Sequence, residues 1–213
     1  MNYIFSILLF LLSIYLNAAP YSAKEFPQLT KLDGLSPALM SMHVTLYQGY
    51  VKNANLLLDE LAKLAESSSP EPIYGALKRR FNWECDGMLL HEYYFENLGG
   101  KGQLDNQSVL YLQLVKQFGS YEAWKKDFIR TGMMRGIGWS ILYRDSKTGQ
   151  LLNIWINEHD LGHLAGGQPI LIMDVFEHAY MPQYGLDRAG YIEAFFKNIN
   201  WEVAQARLQV GSR

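Results

Sequence analysis

Cysteine is all but absent from this chain: Cys85 is the only one. A single thiol excludes an intramolecular disulfide framework and any zinc site built on several thiolates, and reads instead as a small apolar residue of the core. An excess of positive charge is also lacking. Nineteen lysines and arginines stand against 21 aspartates and glutamates, a formal net charge of −2. That argues against a nucleic-acid binder, which needs clustered positive charge. Internal repeats and low-complexity tracts are missing too. Only one long hydrophobic run occurs, Tyr3 to Leu16, and it is too short to span a bilayer comfortably. Small residues follow it (Ala18, Ala19, Ser22 and Ala23), and no lysine or arginine precedes Lys24. Residues 1–23 therefore read as a secretory signal peptide cleaved somewhere from Ala18 to Ala23, with an uncleaved N-terminal anchor as the alternative. Either places the functional part outside the cytoplasm, secreted or periplasmic, and cleavage would leave no stable membrane insertion. A lone thiol, unable to mispair within its own chain, suits that destination.

What is abundant is apolar and aromatic side chain, 49% and 14% of 213 residues, enough to bury a substantial core in one or two compact domains. Ser36-Pro37 reads as an N-cap followed by proline at the first helical position. Beyond it Leu39, His43, Leu46, Tyr47, Tyr50, Ala54, Leu57, Leu61 and Leu64 recur at helical spacing, with His43, Tyr47 and Tyr50 on one face. A polar break at 67–72 separates this helix from a second over Ile73 to Leu98, closed by Gly99-Gly100-Lys101-Gly102. On the second helix Gly87, His91, Tyr94 and Phe95 share a face. Two long helices with a short connection predict an antiparallel hairpin in which His43 and His91 face each other. Helical patterns continue over Asn106 to Gly119 and Tyr121 to Thr131. Trp139 to Tyr143, Leu151 to Ile156 and Ile170 to Met173 read as strands, with His159 and His163 in the loop before the third. Helix resumes at Glu177, and a last helical region runs from Asp187 to about Leu208. The fold class is α+β: an N-terminal antiparallel helical hairpin domain over 24–102, then a C-terminal domain over 103–213 with a three-stranded antiparallel sheet flanked by helices.

The chemistry concentrates in Asp174-Val175-Phe176-Glu177-His178-Ala179-Tyr180. A carboxylate and an imidazole lie four residues apart where the last strand gives way to a helix. Each candidate has an ordinary reading: His91 as a satisfied core histidine, Asp174 as an N-cap, Glu177 as its capping-box partner. Taken together, His43, His91, Asp174 and His178 are four polar groups at apolar positions, where an unpaired polar group is costly. Joint ligation of one redox metal removes all four costs and leaves a coordination position open. A mononuclear iron oxygenase would need only two histidines and a carboxylate, so the extra imidazole argues against that class.

These residues resemble the iron/manganese superoxide dismutase family over nearly all of 26–208. The Asp174–Tyr180 run is similar to the family's C-terminal signature, with Phe176 where tryptophan is usual. Gly136-Ile137-Gly138-Trp139-Ser140 resembles its glycine-tryptophan segment and Asn200-Trp201-Glu202 its closing helix. Leu90-His91-Glu92-Tyr93-Tyr94-Phe95 resembles the second helix, and Met42-His43 through Tyr50-Val51-Lys52-Asn53 the first.

The resemblance implies the metal ligands His43, His91, Asp174 and His178, with iron as the metal and manganese as the alternative. The implied activity converts superoxide to dioxygen and hydrogen peroxide by proton-coupled electron transfer, which keeps the charge of a buried site constant. It implies a homodimer through Glu177 and His178, and matches Arg188 to a residue that steers the substrate anion at the funnel mouth. Tyr50 and His159 would support the solvent ligand and deliver protons. The family places a glutamine there from either of two positions; here those positions hold Gly87 and His159, and a histidine can titrate near neutral pH. His163 reads as an ordinary loop residue. The first helix departs from the family pattern: His43 and Tyr50 are one residue closer than usual, and Leu46, Tyr47 and Gln48 stand where further histidines occur. One of those histidines contacts the tyrosine at Tyr180 across the family's dimer interface, a role left here to Tyr47.

Overall fold

A computed structural model describes residues 20–65 and 71–210. A short 3-10 turn (Pro27–Thr30) leads into α1 (Pro37–Ala65), which runs back along α2 (Glu71–Glu96). Ser36 Oγ accepts from the Leu39 amide at 3.2 Å, the N-cap bond that the Ser-Pro pair predicts. Helix α2 starts two residues before its apolar pattern does, because Pro72 falls in the first turn, where a missing N–H costs no hydrogen bond.

Helices α3 (Val109–Phe118) and α4 (Tyr121–Gly132) follow, capped by the hydroxyls of Ser108 and Ser120. Then come β1 (Trp139–Asp145), β2 (Leu151–Ile156) and β3 (Gly167–Asp174), antiparallel in the order β2-β1-β3. Strand β3 is longer than its apolar core. Gln168 and Pro169 still pair with Arg144 and Tyr143, past a bulge that leaves Ile170 as the extra residue. Proline, which cannot donate to a ladder, is tolerated at such a bulge.

The C-terminal helical region is two helices after α5 (Glu177–Tyr184), namely α6 (Arg188–Lys197) and α7 (Trp201–Val210), where the apolar pattern predicts one. The break is made by side chains. Asn198 Nδ2 donates to the Ala194 and Asp33 carbonyls and its Oδ1 accepts from the Asp33 amide, all at 2.7–2.8 Å. Ile199 forms a bridge with Leu98, and the Asn200 amide donates to the Asn97 carbonyl.

Helices α2 and α7 pack on β3 and α4 on β1 and β2, while α1 meets α5. One continuous apolar core therefore joins the hairpin to the sheet, from Leu39 and Phe95 through Trp139 and Ile172 to Phe195. Cys85 is only partly buried, packed on this core with its sulfur 3.9 Å from the Tyr21 hydroxyl. Among the described residues no helix is long and apolar enough to cross a membrane. Most of the expected signal segment lies outside the described residues.

Candidate metal centre

His43 from α1, His91 from α2, Asp174 from the end of β3 and His178 from the first turn of α5 converge, one donor atom of each lying within 4.8 Å of the others. Asp174 Oδ2 is 3.1 Å from His43 Nε2, 3.0 Å from His178 Nε2 and 3.5 Å from His91 Nε2, and the last two nitrogens are 3.4 Å apart. Bonds of about 2.1 Å meeting at roughly 90–110° would set donors about 3.0–3.5 Å apart.

Hydrogen bonding adds a sharper test of fit. His91 Nδ1 lies 2.6 Å from the Gly87 carbonyl, which can only accept, so Nδ1 carries the proton and Nε2 presents a bare lone pair. That lone pair faces a carboxylate oxygen and a second imidazole nitrogen. His178 Nε2 can present either a hydrogen or a lone pair, but His91 Nε2 and Asp174 Oδ2 are two acceptors 3.5 Å apart in an apolar interior, an arrangement that suits a cation between them. The residues fit a single metal ion.

Charge states agree. Burial works to raise the Asp174 carboxyl, but the imidazoles of His178 and His43 outweigh it and hold the group well below the usual carboxylate range. Burial depresses His43, with Asp174 opposing, and holds His91 well below 6.5 with help from His43. Asp174 Oδ1 accepts from the Phe176 amide at 2.8 Å, and its carbonyl accepts from the Tyr191 hydroxyl at 2.7 Å. Backbone turn and carboxylate are thus fixed together.

A second layer surrounds the cluster. Gly138, at φ +126°, passes so close to β2 that a Cβ would meet the Ile156 carbonyl oxygen at 1.9 Å. This approach starts β1 and buries Trp139 beside His91, ring centroids 5.0 Å apart. Trp139 Nε1 donates to His159 Nδ1 at 3.1 Å, and His159 Nε2 is 2.8 Å from the Tyr50 hydroxyl. An indole N–H only donates, so neutral His159 must carry its proton on Nε2 and give it to Tyr50. The Tyr50 hydrogen then remains free to point elsewhere. Burial lowers His159 to about 4, which favours the neutral form through the range where histidine ordinarily titrates. The pair fits into space left by Gly87: a Cβ there would lie 2.8 Å from Tyr50 Cδ1 and 3.2 Å from His159 Cδ2. Trp83 and Phe176 flank His159, each with ring centroids at 4.6 Å. Nothing in the residue types marks Trp83 or Trp139 as the partners of this histidine.

Tyr47 does not take the place of the missing first-helix histidine. It is buried in its own chain, donating to Glu92 Oε1 at 2.8 Å and accepting from the Lys24 amide at 2.9 Å. Tyr180 accepts instead from Arg188 at 3.0 Å. The same guanidinium reaches the Met134 and Gly136 carbonyls at 2.8 and 2.9 Å, so it also fastens the loop between α4 and β1. Glu177 is exposed, with no ion pair among the described residues, and the neighbouring His178 side chain is 28% exposed.

Residues 106–207 match the sequence profile of the C-terminal domain of iron/manganese superoxide dismutases. The chain is 37% identical over 187 residues to an iron superoxide dismutase of Cupriavidus metallidurans, covering 86% of this chain and 93% of that one. It is 36% identical over 167 residues to a manganese superoxide dismutase of Haloferax volcanii, covering 78% and 83%. It is 35% identical over 196 residues to an iron superoxide dismutase of Sulfolobus acidocaldarius, covering 87% and 93%. With the hairpin, the sheet and the four converging ligand residues in place, the chain belongs to the iron/manganese superoxide dismutase family.

Proposed function

We propose that this protein is a superoxide dismutase in which His43, His91, Asp174 and His178 hold one iron ion, with manganese as the alternative. The carrying observation is the bare Nε2 of His91 set 3.5 Å from the Asp174 carboxylate, two acceptors in a four-donor cluster with His43 and His178 that a cation suits. A bound metal would supply a one-electron couple lying between the dioxygen/superoxide and superoxide/hydrogen peroxide couples. One superoxide loses an electron and leaves as dioxygen, and a second gains that electron with two protons and leaves as hydrogen peroxide. The protein's share is to orient and supply protons. Trp139 fixes the tautomer of His159, His159 donates to Tyr50, and the free Tyr50 hydrogen is directed at the solvent or substrate of the site. Arg188, half-buried and bound to carbonyls, stands beside Tyr180 of α5 and contributes to steering the anion.

A homodimer through Glu177 and His178 accompanies this reading. Glu177, exposed and without an ion pair among the described residues, and the partly exposed His178 would each find a partner on a second copy, closing the site from solvent. We further propose export through the N-terminal signal, with cleavage in the part of the Ala18–Ala23 window that precedes Tyr21. The Tyr21 backbone makes two 2.8 Å bonds with the Asn55 amide, a contact the mature chain would keep.

The deciding experiment uses the chain beginning at Pro20, with superoxide removal, iron and manganese content and solution mass measured on one sample. Stoichiometric metal without dismutation would sink the enzyme reading, and a monomer at working concentration would sink the dimer.

A further inference from the structure

We propose that His163 is a positioning residue for the reaction: it fixes the turn that carries His159 and so sets the proton relay to Tyr50. This rests on the dismutase reading above. His159 belongs to no helix or strand. It sits in the turn closed by the Asn157–Leu161 bridge, directly after Glu158, which at φ +61° is the one described non-glycine residue with positive φ. Such a turn has little intrinsic preference for one shape. Two side chains hold it. Glu158 Oε2 accepts from Trp83 Nε1 of α2 at 3.2 Å. On the other side His163 Nε2 lies 2.7 Å from the His159 carbonyl, and His163 Nδ1 lies 2.7 Å from the Tyr143 hydroxyl.

The order of hydrogens follows from the partners. A carbonyl only accepts, so His163 Nε2 carries hydrogen; Nδ1 of the neutral ring then accepts, and Tyr143 must donate. Tyr143 is 1% exposed on β1, paired with Leu152 on one side and Pro169 on the other. The sheet therefore holds the His159 backbone through one imidazole, as Trp139 of the same strand holds its ring. Asp86 of α2 lies 3.9 Å from His163 Nε2 and adds a weaker contact from the hairpin. Both ends of His159 are thus referred to β1, so the Nε2–H can be aimed at Tyr50 from a loop that belongs to no helix or strand.

His163→Ala removes the strut. His163→Gln can restore it, since an amide N–H can donate to the His159 carbonyl while the amide oxygen accepts from Tyr143. Should the alanine variant fold poorly, Tyr143→Phe deletes only the hydroxyl. Two readouts separate positioning from stability: turnover per bound metal ion, and the imidazole 15N shifts of His159 in metal-free protein. We expect roughly tenfold lower turnover in His163→Ala and a His159 signal moved from a single Nε2–H tautomer toward a mixture. Tyr143→Phe should move both in the same direction and His163→Gln should restore both. Wild-type turnover and an unchanged His159 tautomer in His163→Ala would overturn the proposal, as would a glutamine variant no better than alanine. If wild-type protein binds metal yet removes no superoxide, the dismutase reading fails, while the 15N shifts still decide whether His163 sets His159.

Discussion

Gly87 shows how one missing side chain shapes the site. Alanine is the better helix former by about 1 kcal/mol, and Gly87 lies inside α2 with ordinary helical backbone. Yet a Cβ there would press on the Tyr50 ring at 2.8 Å, and overpacking a tight core costs about 1–3 kcal/mol. The second effect wins. Gly87→Ala should lower the melting temperature slightly and turnover by roughly tenfold with metal content retained; unchanged turnover would show that the Tyr50–His159 contact does not matter. His159 allows a test by pH. Its folded value of about 4 lies below the ordinary 6.5, so between those values the unfolded chain binds more protons than the folded one. Stability from this group is fully present above about pH 6.5 and is lost as pH falls toward 4, roughly 3 kcal/mol in all. His159→Gln keeps the donor and acceptor order, so the metal-free variant should lose less stability than wild type across that window in urea titrations at stepped pH. At this scale the cluster was legible in the sequence because His43, His91 and Asp174 stand among apolar neighbours with no reason to be polar. The tautomers were not legible, because they depend on Trp139, Gly87 and Tyr143 approaching from other elements.

Among the elements, the α1–α2 hairpin and the three strands follow from apolar periodicity and from a serine cap, since those signals are local. The α6–α7 break does not. Ile192, Phe195, Phe196, Ile199, Ala204 and Leu208 form a nearly unbroken apolar series, and what interrupts the helix is Asn198 binding Asp33, 165 residues away. Burial of Asn198 at 3% exposure makes its loss expensive, because truncation strands the Asp33 amide and two carbonyls. Asn198→Ala should cost about 2–3 kcal/mol in urea unfolding and leave turnover per bound metal unchanged, since its side chain bonds only to Asp33 and Ala194, none of the four cluster residues. A loss below about 0.5 kcal/mol would mean that water replaces those bonds freely. The bulge in β3 is a similar case: Pro169 argues against a strand locally, and only pairing with β1 makes room for it.

For the whole molecule, the decisive arrangement is that the hairpin supplies His43 and His91 while the sheet and α5 supply Asp174 and His178. A metal ion bound there ties the two halves together in addition to their shared core. Binding to the folded state alone stabilises by RT ln(1 + [L]/Kd), about 2.7 kcal/mol at a hundredfold excess over Kd. For a chain of this size that corresponds to a melting temperature roughly 5–10 °C higher. Removing metal by chelation should therefore lower the melting temperature by about that amount, with iron or manganese each restoring it. The physical signature is where the loss appears. Without metal, four polar groups remain packed against one another across the junction of the halves, so amide exchange should accelerate near His43, His91 and the β3–α5 turn together. It should change little in α3 and at the far end of the β1–β2 hairpin, whose hydrogen bonds, such as that from the Leu151 amide to Gln117 Oε1, involve none of the four cluster residues. Faster exchange confined to α5 would show that the metal braces one helix and does not join the two halves of the chain.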